Sequence, residues 1–482
     1  MLFNSYSFLF LFFPAVLIGY YMCRKAGDGV KNMFLLGVSL IFYGWTSPEY
    51  LPVLVCSMAV NYGLGWQIEH ARASKPILVS GIALNLVMLG CFKYLDTGGF
   101  VPLGISFFTF TQIGYLMECH RGNLTNVSAL SYGVYVSWFP KMMQGPIALP
   151  TEMLQQLEKR EIVTDWEKIY RNVYLLILGL FKKVLIADTL GQAVDLGYAS
   201  LASLNSWDGM IVMLSYTLQL YFDFSGYCDM AMGISGMLGM ELPLNFHSPY
   251  KAGNILEFWK GWHMTLTRFF TKYLYIPLGG NRKGRARTYL NCLIVFFLSG
   301  IWHGSGWQFV IWGMLHGVLY VITKAWTESS AYVSIHKKSE GVIAGIVRKL
   351  GHGVSVLLTF LYVNAAWVFF RAPSVQDAIT LLKTIFSFEG GRVNWELAGC
   401  FNLEEFWYVI KVLHVDSWQY AHYILMVLIL AAVLLLVFAG KSAVDYVKTV
   451  KPGFLHAVIM AVLFVWSVLS VSGVSSFLYV NF

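Results

Sequence analysis

Two histidines have the company that chemistry needs: His263 in Trp259-Lys260-Gly261-Trp262-His263-Met264, and His303 in Ser299-Gly300-Ile301-Trp302-His303-Gly304. An imidazole, with an ordinary pKa of about 6.5, takes up and releases a proton near neutrality. His303 follows a helix-length apolar run and sits between glycines that let backbone or ligand come close. A histidine so placed is often only a structural hydrogen-bonding residue. Two features favour chemistry here. Ionisable groups inside apolar segments are costly and tend to be functional. The two histidines also flank one short polar–apolar unit, so both can face a single cavity. The reaction that fits is proton abstraction from an alcohol as it attacks an activated acyl group, where a positioned imidazole contributes roughly 10²–10⁴ in rate. A thioester donor brings its own leaving group, so no metal and no bound cofactor are required. The second histidine would orient the acceptor or donate a hydrogen bond to the carbonyl oxygen.

Other polar residues are less specific. Tyr221, Asp223 and Asp229 lie in Gln219–Asp229, between apolar runs. Either aspartate would cap a broken helix or bond exposed backbone, or else line the site. Asn281, Arg282, Lys283, Arg285 and Arg287 form a basic loop. That loop either sets membrane orientation or docks a phosphate-bearing donor. Lys182 and Lys183 read most simply as an anchor at a cytoplasmic boundary. Beside the catalytic pair His303 and His263, the expected substrate contacts are Trp302, Tyr221, Asp223, Asn281 and Arg282. His247 and His316 are weaker candidates, and the other histidines carry no functional expectation. Cysteines at 23, 56, 91, 119, 228, 292 and 400 show no CxxC or Cys/His ligand spacing. Neither a zinc site nor a disulfide framework is indicated.

The elements that must position these residues are membrane helices. Of 482 residues, 57% are hydrophobic and 12% charged, against about 25% charged in an ordinary soluble domain. Apolar runs long enough to cross a roughly 30 Å hydrocarbon layer recur along the whole chain. They fall near 5–22, 31–47, 49–68, 76–94, 129–147, 169–190, 207–227, 288–302, 305–326, 352–371, 421–440 and 453–473. The expected fold is therefore all-α and polytopic, one domain over 1–482 with about ten to twelve spans and a central catalytic block at 219–316. The first run lacks a basic leading segment and a cleavage site, and is read as a retained helix with an external N-terminus. Loops at Arg24–Lys31, Arg72–Lys75, Lys337–Lys349 and Lys441–Lys451 read as cytoplasmic by their Lys and Arg content. The loop at Thr46–Glu49, which has neither, reads as external. That bias also accounts for the net charge of +8 without nucleic acid.

Three stretches are too polar or broken for ordinary spans and too apolar for loops: Val101–Tyr115, Gly226–Asn245 and Phe258–Gly280. Irregular or charged backbone at membrane depth persists only inside protein or beside a water-filled cavity. These segments are expected as re-entrant or interfacial helices around an internal site.

In several fragments the chain resembles the membrane-bound O-acyltransferase family, in the bacterial branch of the alginate O-acetyltransferase membrane subunit and the teichoic acid D-alanyl transferase. The fragments are MLFNSYSFLFLFFP, PLGISFFTFTQIGYL at Pro102–Leu116, QGPI at Gln144–Ile147, GLFKKVLIAD at Gly179–Asp188 and YFDFSGYCDMAMG. They continue with FWKGWHMTLTRFFTKYLYIPLGG, SGIWHG, WVFFRA at Trp367–Ala372 and the closing FLYVNF. The resemblance implies that His303 is the principal catalytic histidine and that His263 matches a second characteristic polar position. It implies a helical ring around a thin centre, entered by a funnel or tunnel. It also implies an acyl donor, acetyl-CoA or an acyl carrier protein, reaching the site from the cytoplasm of a bacterial cell. The acceptor would be a hydroxyl of an envelope polysaccharide or of an extracytoplasmic partner resembling an SGNH hydrolase, at the inner or cytoplasmic membrane. D-alanyl transfer toward teichoic acid is the alternative within the family. A secondary transporter or channel is the alternative outside it, but such folds carry paired broken helices in matching halves, whereas polar residues here gather in one central block.

Overall fold

With so little charge and so few sequence breaks, the chain satisfies its backbone hydrogen bonds almost entirely within helices, as a low-dielectric surrounding demands. The computed structural model describes residues 1–95, 101–158, 165–330, 342–402, 411–414, 418, 420–471 and 477–478, with side chains of 342–348 left aside. No β-strand occurs among the described residues. The 337–341 part of the basic loop and the last residues of FLYVNF lie outside them.

The protein is all-α and polytopic. Six helices among the described residues are long and apolar enough to span a bilayer: Ser7–Ala26, Pro48–His70, Ser74–Tyr94, Trp307–Thr327, Lys349–Arg371 and Ala421–Phe438. Several other expected runs are shorter or broken. The 129–147 run divides into helices Ala129–Ser137 and Phe139–Met142, interrupted at Trp138. Phe454–Leu469 reaches only 16 residues. Residues 207–227 lie in a 32-residue helix, Ser206–Met237, which carries Asp208, Gln219, Asp223 and Asp229 and is not among those six. The chain groups into two compact units, each drawn from separate stretches of sequence.

One unit comprises Met1–Lys183, Phe224–Leu244 and Ala443–Phe482. Its helix Ile105–His120 is buried at nearly every residue, which is why Ser106, Thr109, Thr111 and Gln112 are tolerated between phenylalanines. Gln112 Oε1 accepts from Ser57 Oγ at 2.9 Å and from Asn61 Nδ2 at 3.1 Å. The glycine-rich Gly226–Asn245 stretch differs from expectation: the helix runs on to Met237 and turns out only at Gly239, with φ at +77°. Its glycines are needed for close contact. A Cβ on Gly179 would sit 2.6 Å from the Gly226 carbonyl oxygen. Beside that crossing Lys182 Nζ meets Asp229 Oδ2 at 2.6 Å, with Lys183 buried above the Phe477 ring. These lysines are therefore interior residues rather than a watery boundary anchor. A charge at this depth is stable only beside its counter-charge.

The other unit comprises Val184–Asp223 and Asn245–Ser442. Here the Phe258–Gly280 stretch is broken: helix Ile255–Gly261, helix Met264–Phe270 and a π-helical turn Thr271–Tyr275. A helical hairpin follows, Arg285–His303 and Trp307–Thr327 joined across Gly304–Gly306. It is tight because Gly300 and Gly313 sit at the crossing. A Cβ on Gly300 would lie 2.5 Å from the Phe309 carbonyl oxygen, and one on Gly313 would lie 2.4 Å from that of Phe296. Small residues at such a crossing let backbones approach where lipid offers no hydrophobic drive.

Candidate active site

The hairpin sets His303 at the last turn of its helix, just before the exposed Ser305 and Trp307, with its own ring only 3% exposed. Three aromatic rings surround it: Trp302 at 4.6 Å, Trp312 at 5.0 Å and Phe370 at 5.0 Å between centroids, each edge-on. Trp312 is brought there by the Gly300–Gly313 crossing, and Phe370 by the last turns of the helix ending at Arg371. Edge-to-face pairs of this kind contribute about 0.5–1.5 kcal/mol each beyond the area they bury. The imidazole is thus held in one orientation in low-dielectric surroundings, where a proton-transfer partner interacts strongly.

His263 occupies a backbone break. Its φ of +43° and ψ of +51° place it in the left-handed region as the N-cap of Met264–Phe270. A non-glycine residue there costs about 1–3 kcal/mol and persists only where its surroundings over-determine it. Here the neighbouring segment does so. The Met264 N–H donates to the Asn245 carbonyl at 3.0 Å, and the His247 N–H donates to the Gly261 carbonyl at 2.9 Å. His263 Nδ1 lies 3.0 Å from Asn245 Oδ1, which also accepts from the Thr265 N–H at 3.2 Å and from Thr265 Oγ1 at 2.9 Å. An atom that accepts from a backbone N–H is the amide oxygen, so Nδ1 of His263 carries the proton and Nε2 the lone pair.

The two histidines lie in one unit and are joined through rings. Trp312 stacks on Trp367 at 5.5 Å, and Trp367 lies 4.9 Å from Trp262, the residue preceding His263. Tyr221 joins the same cluster, 5.4 Å from Tyr250 and 6.4 Å from Trp262. Trp302 is buried on His303, and Asp223 is buried at 1% exposure on the same helix as Tyr221. Asn281 and Arg282 lie elsewhere, exposed in the turn before the Arg285–His303 helix. His316, one turn beyond Trp312, packs at 5.2 Å from that ring and 5.1 Å from Trp259.

Sequence reasoning missed Asn245, which orients His263, and the packing roles of Trp312, Trp367 and Phe370. The only local signal for Asn245 is an amide amid apolar residues, after Pro243-Leu244. For Trp367 and Phe370 it is their place in WVFFRA. Among the described residues, no group of three or more His, Cys, Asp or Glu side chains could hold a metal ion.

Residues 103–351, which include both histidines, match the profile of the membrane-bound O-acyltransferase family. The chain is 36% identical to a peptidoglycan O-acetyltransferase of Helicobacter pylori over 81% of this chain and 80% of the relative. It is 33% identical to the probable alginate O-acetylase AlgI of Pseudomonas aeruginosa, over 83% and 76% respectively. A teichoic acid D-alanyltransferase of Bacillus subtilis is 27% identical over 45% of this chain and 57% of the relative.

Proposed function

The chain belongs to the membrane-bound O-acyltransferase family, a multi-pass membrane acyltransferase, and on that footing we propose that it moves an acetyl group from a cytoplasmic thioester to a hydroxyl of an envelope glycan. His303 is the general base. Its imidazole takes the acceptor hydroxyl proton as oxygen bonds to the thioester carbonyl carbon. The tetrahedral intermediate then collapses, the C–S bond breaks, and the imidazolium returns the proton to the departing thiolate. His263 positions the acceptor, whose hydroxyl can donate to the Nε2 lone pair while the ring is held by Asn245.

The observation that carries this reading is the aromatic enclosure of His303, linked through Trp312, Trp367 and Trp262 to the break at His263, inside the segment matched to the family. The relatives named as O-acetyltransferases act, by their names, on peptidoglycan and alginate. They match about four-fifths of this chain, whereas the D-alanyltransferase matches under half. That difference favours acetyl over D-alanyl and a glycan, or an SGNH-hydrolase-like protein that passes acetyl to one, over teichoic acid. The acceptor side lies outside the cytoplasmic membrane.

The test is transfer of label from acetyl-CoA and from an acetylated carrier protein to peptidoglycan or exopolysaccharide, using membranes carrying the wild type or His303→Ala. Label should enter glycan with the wild type and be lost with the variant, which should still purify folded. Glycan acetylation unchanged by His303→Ala overturns the assignment of the base. Use of a D-alanyl carrier protein alone overturns the acetyl assignment.

A further inference from the structure

The Arg285–His303 helix carries a stripe of side chains that leads to the base. Cys292, Phe296, Ser299 and His303 are spaced by four, three and four residues, so they share one face. The first three line a cavity of about 250 Å³. Its other walls come from the Ile255–Gly261 helix through Lys260, the Met264–Phe270 helix through Thr267, and the Trp307–Thr327 helix through Tyr320 and Lys324. The cavity is turned away from lipid. Leu290, Phe297 and Leu298, exposed apolar residues of the His303 helix, lie on its opposite face, as Val318 and Ile322 do on the Trp307–Thr327 helix. It meets solvent at its cationic wall, where Lys260 is exposed and the Lys324 side chain is 28% exposed.

Charge, width and length together define the ligand. Two lysines and, among the described residues, no carboxylate line the cavity, so its ligand is an anion. Lys324 Nζ also meets Glu328 Oε1 at 2.7 Å, but an ammonium has three donors and keeps two for a ligand. The volume lies below the about 300–1,000 Å³ of usual small-molecule sites, which suits a slender chain rather than a sugar ring. From Cys292 to His303 the helix rises about 16 Å, at roughly 1.5 Å per residue. A phosphopantetheine arm has about 13 bonds from phosphorus to sulfur, which is about 16 Å at the roughly 1.2 Å per bond of a stretched chain. A phosphate held at the solvent end therefore puts its thioester at His303.

We propose that this cavity holds the 4′-phosphopantetheine arm of the acyl donor, with the phosphate on Lys324 and Lys260 and the thioester directed along the Cys292–Ser299 stripe to His303. This rests on the acyl-transfer reading above and deepens it by naming the residues that select a phosphorylated donor. Acetyl-CoA and an acetylated carrier protein both carry the arm, so either is bound this way. The two lysines are substrate-binding residues and take no part in proton transfer.

Steady-state kinetics of the full-length protein in nanodiscs tests it, with acetyl-4′-phosphopantetheine and acetyl-pantetheine, which lacks the phosphate, as paired donors. In the wild type the phosphorylated donor should have a KM about tenfold lower or more, the size of a hydrogen bond to a charged group. Lys324→Met and Lys260→Met should each raise that KM severalfold, leaving the KM of acetyl-pantetheine and both kcat values within about threefold. Glu328→Gln releases Lys324 from its partner and should lower the KM of the phosphorylated donor alone. Lys448→Met, an exposed lysine outside the cavity, should change neither KM. Acetyl-CoA and an acetylated carrier protein complete the series, and the one with the higher kcat/KM is the source of the arm. Equal KM values for the two paired donors in the wild type overturn the proposal, and that comparison needs no variant. So does a phosphate preference that survives in both lysine variants, or one lost equally in Lys448→Met. Transfer from every donor without a phosphate preference removes this proposal and leaves the acyl-transfer reading standing. If the wild type turns over none of the thioesters, the two fall together.

Discussion

His263 and Asn245, 18 residues apart, meet through Nδ1 and Oδ1 at 3.0 Å, and the same amide oxygen accepts from two donors of Thr265. One side chain thereby sets both the tautomer of an imidazole and the first turn of the helix that follows it. Asn245→Ala removes the orienting acceptor and should lower activity about tenfold, the equivalent of about 1.4 kcal/mol for one buried hydrogen bond. Because Asn245 acts through His263, the double variant His263→Ala/Asn245→Ala should be no slower than His263→Ala alone. Additive losses in acetyl transfer would show instead that the two residues act independently.

The two histidines should differ in degree. His303→Ala should reduce turnover by roughly 10²–10⁴, the contribution of a positioned general base. His263→Ala should retain about a tenth of wild-type activity if it only positions a substrate group. Single-turnover transfer from labelled donor separates these outcomes. Equal losses at the two sites would make His263 a partner in the proton transfer.

Lys182 and Asp229 make a buried ion pair at 2.6 Å. Asp229→Ala leaves the ammonium uncompensated and should destabilise the protein by about 3–5 kcal/mol. Lys182→Met together with Asp229→Leu removes both charges and should recover most of that loss. Unfolding midpoints in detergent measure it. A stable, fully active Asp229→Ala variant would show the pair to be dispensable.

The hairpin that carries His303 depends on Gly300, whose added Cβ would press on a backbone carbonyl that cannot swing away. Gly300→Val should cost about 1–3 kcal/mol through overpacking. It should also depress activity beyond the loss of folded protein, since spreading the helices moves His303 off Trp312. Specific activity of the folded fraction is the readout. Wild-type specific activity would show that the His303–Trp312 contact is not needed.

Much was legible in the sequence because it depends on contiguous composition. Burial of a helix in lipid is decided by some twenty neighbouring residues, so Ser74–Tyr94 and Ala421–Phe438 are readable directly. Trp302-His303-Gly304 could be singled out because an imidazole at the end of an apolar run is costly. That Phe258–Gly280 is no ordinary span was legible too, from the charges it holds, whereas the break at His263 itself was not. The glycines of Gly226–Asn245 misled, because glycine serves a break and a close helix crossing equally, and only the carbonyl of Gly226 opposite Gly179 distinguishes them.

By itself, then, the sequence determined the solvent, the helical class and the histidines to examine, since each follows from residue type over a short window. Only the tertiary structure decided that Asn245 holds His263, that Trp312 and Phe370 enclose His303, and that Lys182 answers Asp229. Those contacts join residues 9 to 67 positions apart. Their partners are selected by how helices cross and pack, a property of the folded chain that no local window contains.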